Sequence, residues 1–314
     1  MYLNKLQYLP KEKEKIILQN GYELVTPEKK RVFDPYFDKM NEPWSSPMSF
    51  MAMIAWRTSL TFYYKVLGNY IACLGWDATD GTMTMLPFIG HYENKAIAEA
   101  FELLKADCDR MGYRIHFTDM REWMRPYYDA IDGTNWEKHV TEDMNDYVYS
   151  GYSFENFSGK SGQYLRYFKR TYNYEVSEIG PGDLDVLLEF IRGSWCSKTD
   201  CGYCNYGCQV DCLENVVPNI ETLGGFGIIV RIDGEIAGFC LGSKCSVVAL
   251  IHFQNTKPEI KGIGMFMYEE CRKRFLQDVN EISLGEDMGV PGIRTYKSRL
   301  APHKWIPRFV YDLV

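Results

Sequence analysis

The strongest constraint on what this chain can fold into is an order of signals that occurs twice. In the first half, Thr61–Leu67 and Tyr70–Trp76 are runs rich in aromatic and β-branched residues. They are separated by Gly68-Asn69, which reads as two strands joined by a tight turn. Asp80-Gly81 turns the chain into a third run, Thr82–Leu86. Ile97, Phe101, Leu104, Cys108 and Met111 then recur at helical spacing, with Gly112 where a helix-ending glycine belongs. In the second half, Phe226–Ile232, an Asp233-Gly234 turn, Glu235–Leu241 and Val247–Phe253 give three more strands. A helix begins after Gly262-Ile263-Gly264 and runs through Met265, Tyr268, Cys271 and Phe275, after which Glu281–Leu284 reads as one further strand. A strand meander feeding a loop and a helix, present twice, predicts an α/β (α+β) chain of two duplicated domains with mixed central sheets flanked by helices. The turn Asp132–Asn135 lies where they would meet, and the expected division is 1–140 and 141–314.

Length agrees, since 314 residues exceed one small core and a domain takes about 150. A net charge of −7 argues against a broad nucleic-acid surface, because phosphate binding draws its affinity from clustered Lys and Arg. Charge is nevertheless uneven: Arg294, Lys297, Arg299, Lys304 and Arg308 follow one another with no acidic residue between them. That run is open to two readings, a solvated basic face or an anion site. The first residues contain no apolar core of a signal peptide, and no stretch approaches the roughly 18 apolar residues of a membrane span, so the expected location is cytoplasmic. In a reducing compartment the ten cysteines default to free thiols.

Three segments carry a family resemblance. The first is Ser49–Arg57, with a Phe and then Trp56-Arg57 ahead of the first hairpin; the second is Asp146–Tyr149 followed by Gly159-Lys160 and Arg166. The third and most specific is Gly285-Glu286-Asp287-Met288-Gly289-Val290-Pro291-Gly292-Ile293-Arg294, continuing to Lys297-Ser298. Together they span nearly the whole chain, which resembles the phosphatidylglycerol lysyltransferase C-terminal domain family (DUF2156). The resemblance implies two tandem GNAT-like domains of the Fem-like acyltransferase kind. It also implies transfer of an acyl or aminoacyl group from acyl-CoA or aminoacyl-tRNA, with the site in the second domain or the cleft between the two. Where that family tends to read His-x-Glu-Lys at the end of the central strand, this chain has His252-Phe253-Gln254-Asn255. An amide can orient a nucleophile but cannot take its proton at neutral pH.

Acyl transfer needs a place for an anionic carrier, stabilisation of an oxyanion and a proton acceptor. Lys261-Gly262-Ile263-Gly264 precedes a helix and could hold a phosphate or carboxylate, or be a glycine-rich helix entry alone, and Glu259 beside it would repel an anion. Glu286 and Asp287 follow the last strand and could act as a base or bind an amine, although Asp287 could equally cap the turn into Gly289. Arg294 and Lys297 could clamp a phosphate. His252 and Gln254 complete the catalytic candidates, the lone His on an apolar strand being open to a packing reading. Tyr268 and Tyr296 could donate a proton to a leaving group or simply pack. Cys201-x2-Cys204-x3-Cys208-x3-Cys212 contains one metal-type knuckle without a second, so zinc or an iron–sulfur cluster is the lesser expectation. Two functions stay open: a transferase acting on a small-molecule or peptide acceptor, or a ligand- or peptide-binding protein that has lost catalysis on the same fold.

Overall fold

The strand signals resolve as they do because their turns demand it. Asp233 and Gly234 both adopt positive φ, 52° and 85°, the backbone of a two-residue primed turn, and pair Ile232 with Glu235 across it. The computed structural model describes residues 6–42, 48–196, 208–245 and 248–314. In chain order these form α1 (Lys11–Gln19), β1 (Glu23–Leu24), α2 (Lys30–Phe37), α3 (Phe50–Ala55), β2 (Leu60–Leu67), β3 (Tyr70–Asp77) and β4 (Thr82–Ile89). Then come α4 (Asn94–Met111), β5 (His116–Met120), α5 (Arg125–Asp129), β6 (Trp136–Val140), β7 (Asp146–Ser150), α6 (Gly159–Thr171), β8 (Tyr174–Glu178) and α7 (Leu184–Ile191). The remainder is α8 (Gln209–Val216), β9 (Gly225–Ile232), β10 (Glu235–Cys245), β11 (Val248–Thr256), α9 (Ile263–Phe275), β12 (Glu281–Ser283), α10 (Pro291–Arg299), β13 (Lys304–Ile306) and β14 (Phe309–Leu313).

Two compact units result. The first holds the residues up to Glu142 and the C-terminal Ile306–Val314; the second holds most of the chain between Asp143 and Trp305. The first sheet has the order β1-β2-β3-β4-β5-β14-β6. It is antiparallel except where β5, reached through α4, runs parallel to β4. Helix α4 turns Ile97, Phe101, Leu104, Cys108 and Met111 inward and ends at Gly112, whose φ of 73° closes the helix. Strand β14 pairs with both β5 and β6, so the last strand of the chain lies in the first sheet, a placement that a single cut at 140/141 does not carry. The reason is packing, because Tyr311 is fully buried there and Phe309 nearly so.

The second sheet repeats the arrangement in the order β13-β7-β12-β11-β10-β9-β8. Strands β8 to β11 are antiparallel, and β12, reached through α9, is parallel to β11. Ile263, Phe266, Met267, Tyr268 and Cys271 of α9 pack on Phe226, Ile228, Val230, Cys240 and Ile251 of the sheet. Each large side chain buried in this way contributes about 1.5–3 kcal/mol. Strand β11 runs on to Thr256, past the end of its apolar run at Phe253, because Gln254 finds buried hydroxyl partners there.

Candidate functional site

Strands β11 and β12 are paired only at Val248↔Glu281, Ala249↔Ile282 and Leu250↔Ser283. Beyond Leu250, β11 continues as far as Thr256 while β12 gives way to a loop, so the sheet splits at the carboxyl end of two parallel strands. Gln254 stands in the split. Its Oε1 accepts hydrogen bonds from Tyr268 (2.8 Å) and Tyr296 (3.1 Å), and its Nε2 donates to the Gly264 carbonyl at 3.0 Å. Burial pushes the Tyr268 hydroxyl well up and that of Tyr296 up to about 12, so both remain proton donors at neutral pH. Gly264 leaves room for this: a Cβ there would sit 2.8 Å from the Tyr296 hydroxyl.

His252 occupies a bulge. The register steps from Leu241↔Phe253 to Gly242↔Ile251, leaving His252 as the extra residue on β11. Its Nε2 lies 2.8 Å from Ser243 Oγ on β10. Gln254 pairs with Cys240 on the face covered by α9, and Ser243, three residues further along β10, points to the opposite face. His252 and Gln254 therefore flank the split from its two sides. Only part of His252 reaches solvent, and burial lowers its pKa to about 4 while the charge of Asp146 opposes the shift, so the imidazole is neutral at pH 7.

The acidic and basic residues after β12 come together. Asp287, 3% exposed, accepts from Arg294 Nε (2.8 Å) and Nη2 (2.9 Å), from the Tyr147 hydroxyl (2.6 Å) and from the Gly289 N–H (2.9 Å). The Arg294 guanidinium beside it holds its pKa down to about 2. Arg294 Nη2 also donates to Asp143 at 2.6 Å, yet its side chain is 48% exposed. Lys297 Nζ donates to the Leu284 carbonyl at 2.6 Å and to that of Glu286, tying α10 to the loop after β12. Glu286 itself is half-buried. Helix spacing of Arg294 and Lys297 follows from Pro291 at the first turn, where its missing N–H is no loss. Of the roles anticipated for Asp287 the turn cap is visible, since it receives the Gly289 N–H, while the rest of its carboxylate is engaged by Arg294 and Tyr147.

The helix-entry loop is built for packing. Gly262, with φ of 92°, lies so close to α6 that a Cβ would meet the Tyr164 carbonyl oxygen at 2.1 Å. Lys261 is exposed, its ammonium 4.6 Å from the Tyr164 ring centroid. Of the cysteine run, Cys201 and Cys204 lie outside the described residues. Cys208 is partly exposed, Cys212 is buried with its thiol pKa raised by desolvation, and among the described residues no cluster of His, Cys, Asp and Glu could hold a metal ion. No described helix is long and apolar enough to cross a membrane. Sequence reasoning missed Ser243, Tyr147 and Asp143. Nothing local marks Ser243 or Asp143, and Tyr147 falls in the Asp146–Tyr149 segment without a role assigned to it, because each meets its partner through strand register or chain return.

A sequence model of the family described as phosphatidylglycerol lysyltransferase, C-terminal, matches residues 41–312. No curated protein sequence matches the chain. Among solved structures, a conserved protein of unknown function from Bacteroides thetaiotaomicron VPI-5482 aligns with a TM-score of 0.83 at 19% identity, covering 94% of this chain and 99% of that one. L-PGS from Bacillus licheniformis gives 0.57 at 14% identity, covering 98% and 92%. A tandem GNAT protein from the clavulanic acid biosynthesis pathway gives 0.52 at 11%, covering 93% and 98%. At these identities the likeness establishes the fold, two mixed α/β units of GNAT type in tandem.

Proposed function

We propose, from the premise that this chain belongs to the phosphatidylglycerol lysyltransferase C-terminal family, that it transfers an acyl or aminoacyl group at the split of the second sheet. The donor is an activated carrier, aminoacyl-tRNA or acyl-CoA, and the acceptor is an amine or hydroxyl on a small molecule or peptide. One observation carries this reading: where β11 leaves β12, hydroxyl and amide groups line one side and a neutral imidazole lies on the other. Neutral imidazole can take a proton from an attacking amine or hydroxyl, and a high-pKa tyrosine can return one to a leaving thiolate or alkoxide. Arg294, whose side chain is 48% exposed, faces the anionic carrier. Glu286 faces the acceptor, and Lys261 with the α9 entry at Gly262 and Gly264 adds positive potential beside the carrier.

A panel of acyl-CoA and aminoacyl-tRNA donors tests this by thermal stabilisation, followed by transfer of labelled acyl group to candidate amines. A donor at a hundred times its Kd stabilises by about 2.7 kcal/mol. Replacing Arg294 by Gln should then weaken donor affinity, measured per folded molecule, by about 1.5–3 kcal/mol. Full affinity in that variant removes Arg294 from the site, and a panel in which no donor binds removes the transferase reading. A second reading, binding without catalysis, is favoured by the three hydrogen bonds that engage Gln254 within the fold and by the closed Asp287–Arg294 pair. It predicts a ligand that stabilises the protein and is never turned over.

A further inference from the structure

We propose that Ser243 is a nucleophile, activated by His252, that carries the acyl group covalently between donor and acceptor. The proposal rests on the transferase reading and deepens it, because direct transfer needs no such residue. Four observations support it. Ser243 Oγ and His252 Nε2 are 2.8 Å apart, within the reach at which an imidazole takes a hydroxyl proton as the oxygen attacks. The bulge makes the approach, since without the extra residue on β11 the strict alternation of the two strands would not aim residue 252 at Ser243. Asp146 of β7, fully buried, acts on the imidazole by its charge and favours the imidazolium that proton transfer creates. Ser243 is 5% exposed, and its neighbour across the sheet on β9 is Gly225, which places no side chain beside it.

The chemistry balances in two halves. In the first, the Ser243 Oγ to acyl carbon bond forms while the hydroxyl proton passes to His252 Nε2. The carbon–sulfur or carbon–oxygen bond to the carrier breaks, and the departing thiolate or alkoxide takes that proton. In the second, an amine or hydroxyl acceptor attacks the serine ester, gives its proton to His252 Nε2, and Ser243 leaves as the alkoxide that recovers it. No oxidant, reductant or metal is consumed.

Intact-protein mass spectrometry after incubation with p-nitrophenyl acetate, and separately with an alkyl fluorophosphonate, tests this on the full chain. The wild type gains one acetyl or one phosphonyl group, and peptide mapping places it on Ser243. Ser243→Ala gains none there, and His252→Gln is labelled about 100-fold more slowly or worse. A circular dichroism melt shows that both variants fold, and Ser243→Cys, a smaller perturbation, should recover an acetyl adduct. Absence of a Ser243 adduct on folded wild type overturns the proposal, as does labelling indifferent to His252→Gln. If Ser243→Ala still transfers acyl groups from a donor found in the panel, the nucleophile falls while the transferase reading stands. If neither adduct nor turnover occurs, both fall.

Discussion

The two units solve the same geometric problem with different residues. In each, the strand that runs parallel to the crossover strand carries an extra residue against its antiparallel neighbour. In the first unit the register steps from Ile71↔Ile89 to Cys73↔Leu86, and in the second from Leu241↔Phe253 to Gly242↔Ile251. The first bulge holds Pro87 and Phe88, and the Phe88 N–H is bonded by the Tyr128 hydroxyl at 2.9 Å. Phe88, Phe117, Tyr128 and Trp136 then close that region with ring contacts of 5.0–6.3 Å. The second bulge holds a histidine against a serine, and the adjoining split is lined by tyrosine hydroxyls and an amide. The first unit has turned the feature into core, and the second has kept it polar. That contrast, more than any single motif, is what favours the second unit in the proposed function.

The largest effect should come from the closed bulge. Tyr128→Phe leaves the buried Phe88 N–H without its partner and should cost about 1–3 kcal/mol in urea or thermal unfolding, with no loss of ligand binding. A negligible change would mean that the first bulge is no better satisfied than the second. Next is the ion-held edge of the split. Asp287 has a folded-state pKa of about 2 against an ordinary 3.8, so its contribution is complete above 3.8 and disappears as pH falls through about 2. Asp287→Asn should cost about 1–2 kcal/mol at pH 7, discounted because Arg294 is half in solvent, and should flatten stability between about pH 4 and 2. Unchanged acid sensitivity in that variant would show that the pair adds nothing. The smallest effect belongs to Ser243→Ala, at about 1 kcal/mol or less, because half-buried His252 can exchange its partner for water. A cost as large as that of Tyr128→Phe would make the serine a structural brace.

Much of this was legible in the sequence for a physical reason. Strand alternation, the Asp233-Gly234 turn and the Gly112 helix end are local signals, and each sits where the pattern places it. The Glu286–Lys297 segment stood out by its resemblance and its charges, whereas helix α10, which Pro291 opens and on which Arg294 and Lys297 lie, was not anticipated. What escaped depends on register. No spacing within β10 or β11 reveals that residue 252 will be the unpaired one, so Ser243 was invisible beside it. The polar end of β11 read as a strand terminus because Gln254 and Asn255 lack apolar character, whereas tyrosines from α9 and α10 satisfy Gln254 inside the fold.

Strand β14 has a consequence for how the protein is made. It inserts between β5 and β6, so the first sheet is closed by residues that follow nearly the whole of the second unit in the sequence. The unit whose other strands are synthesised earliest must therefore wait, with two strand edges unpaired, until translation has passed through the whole of the other unit. Its pairing with β5 has the longest sequence separation of the described strand pairs, and contacts of that kind are slow to form.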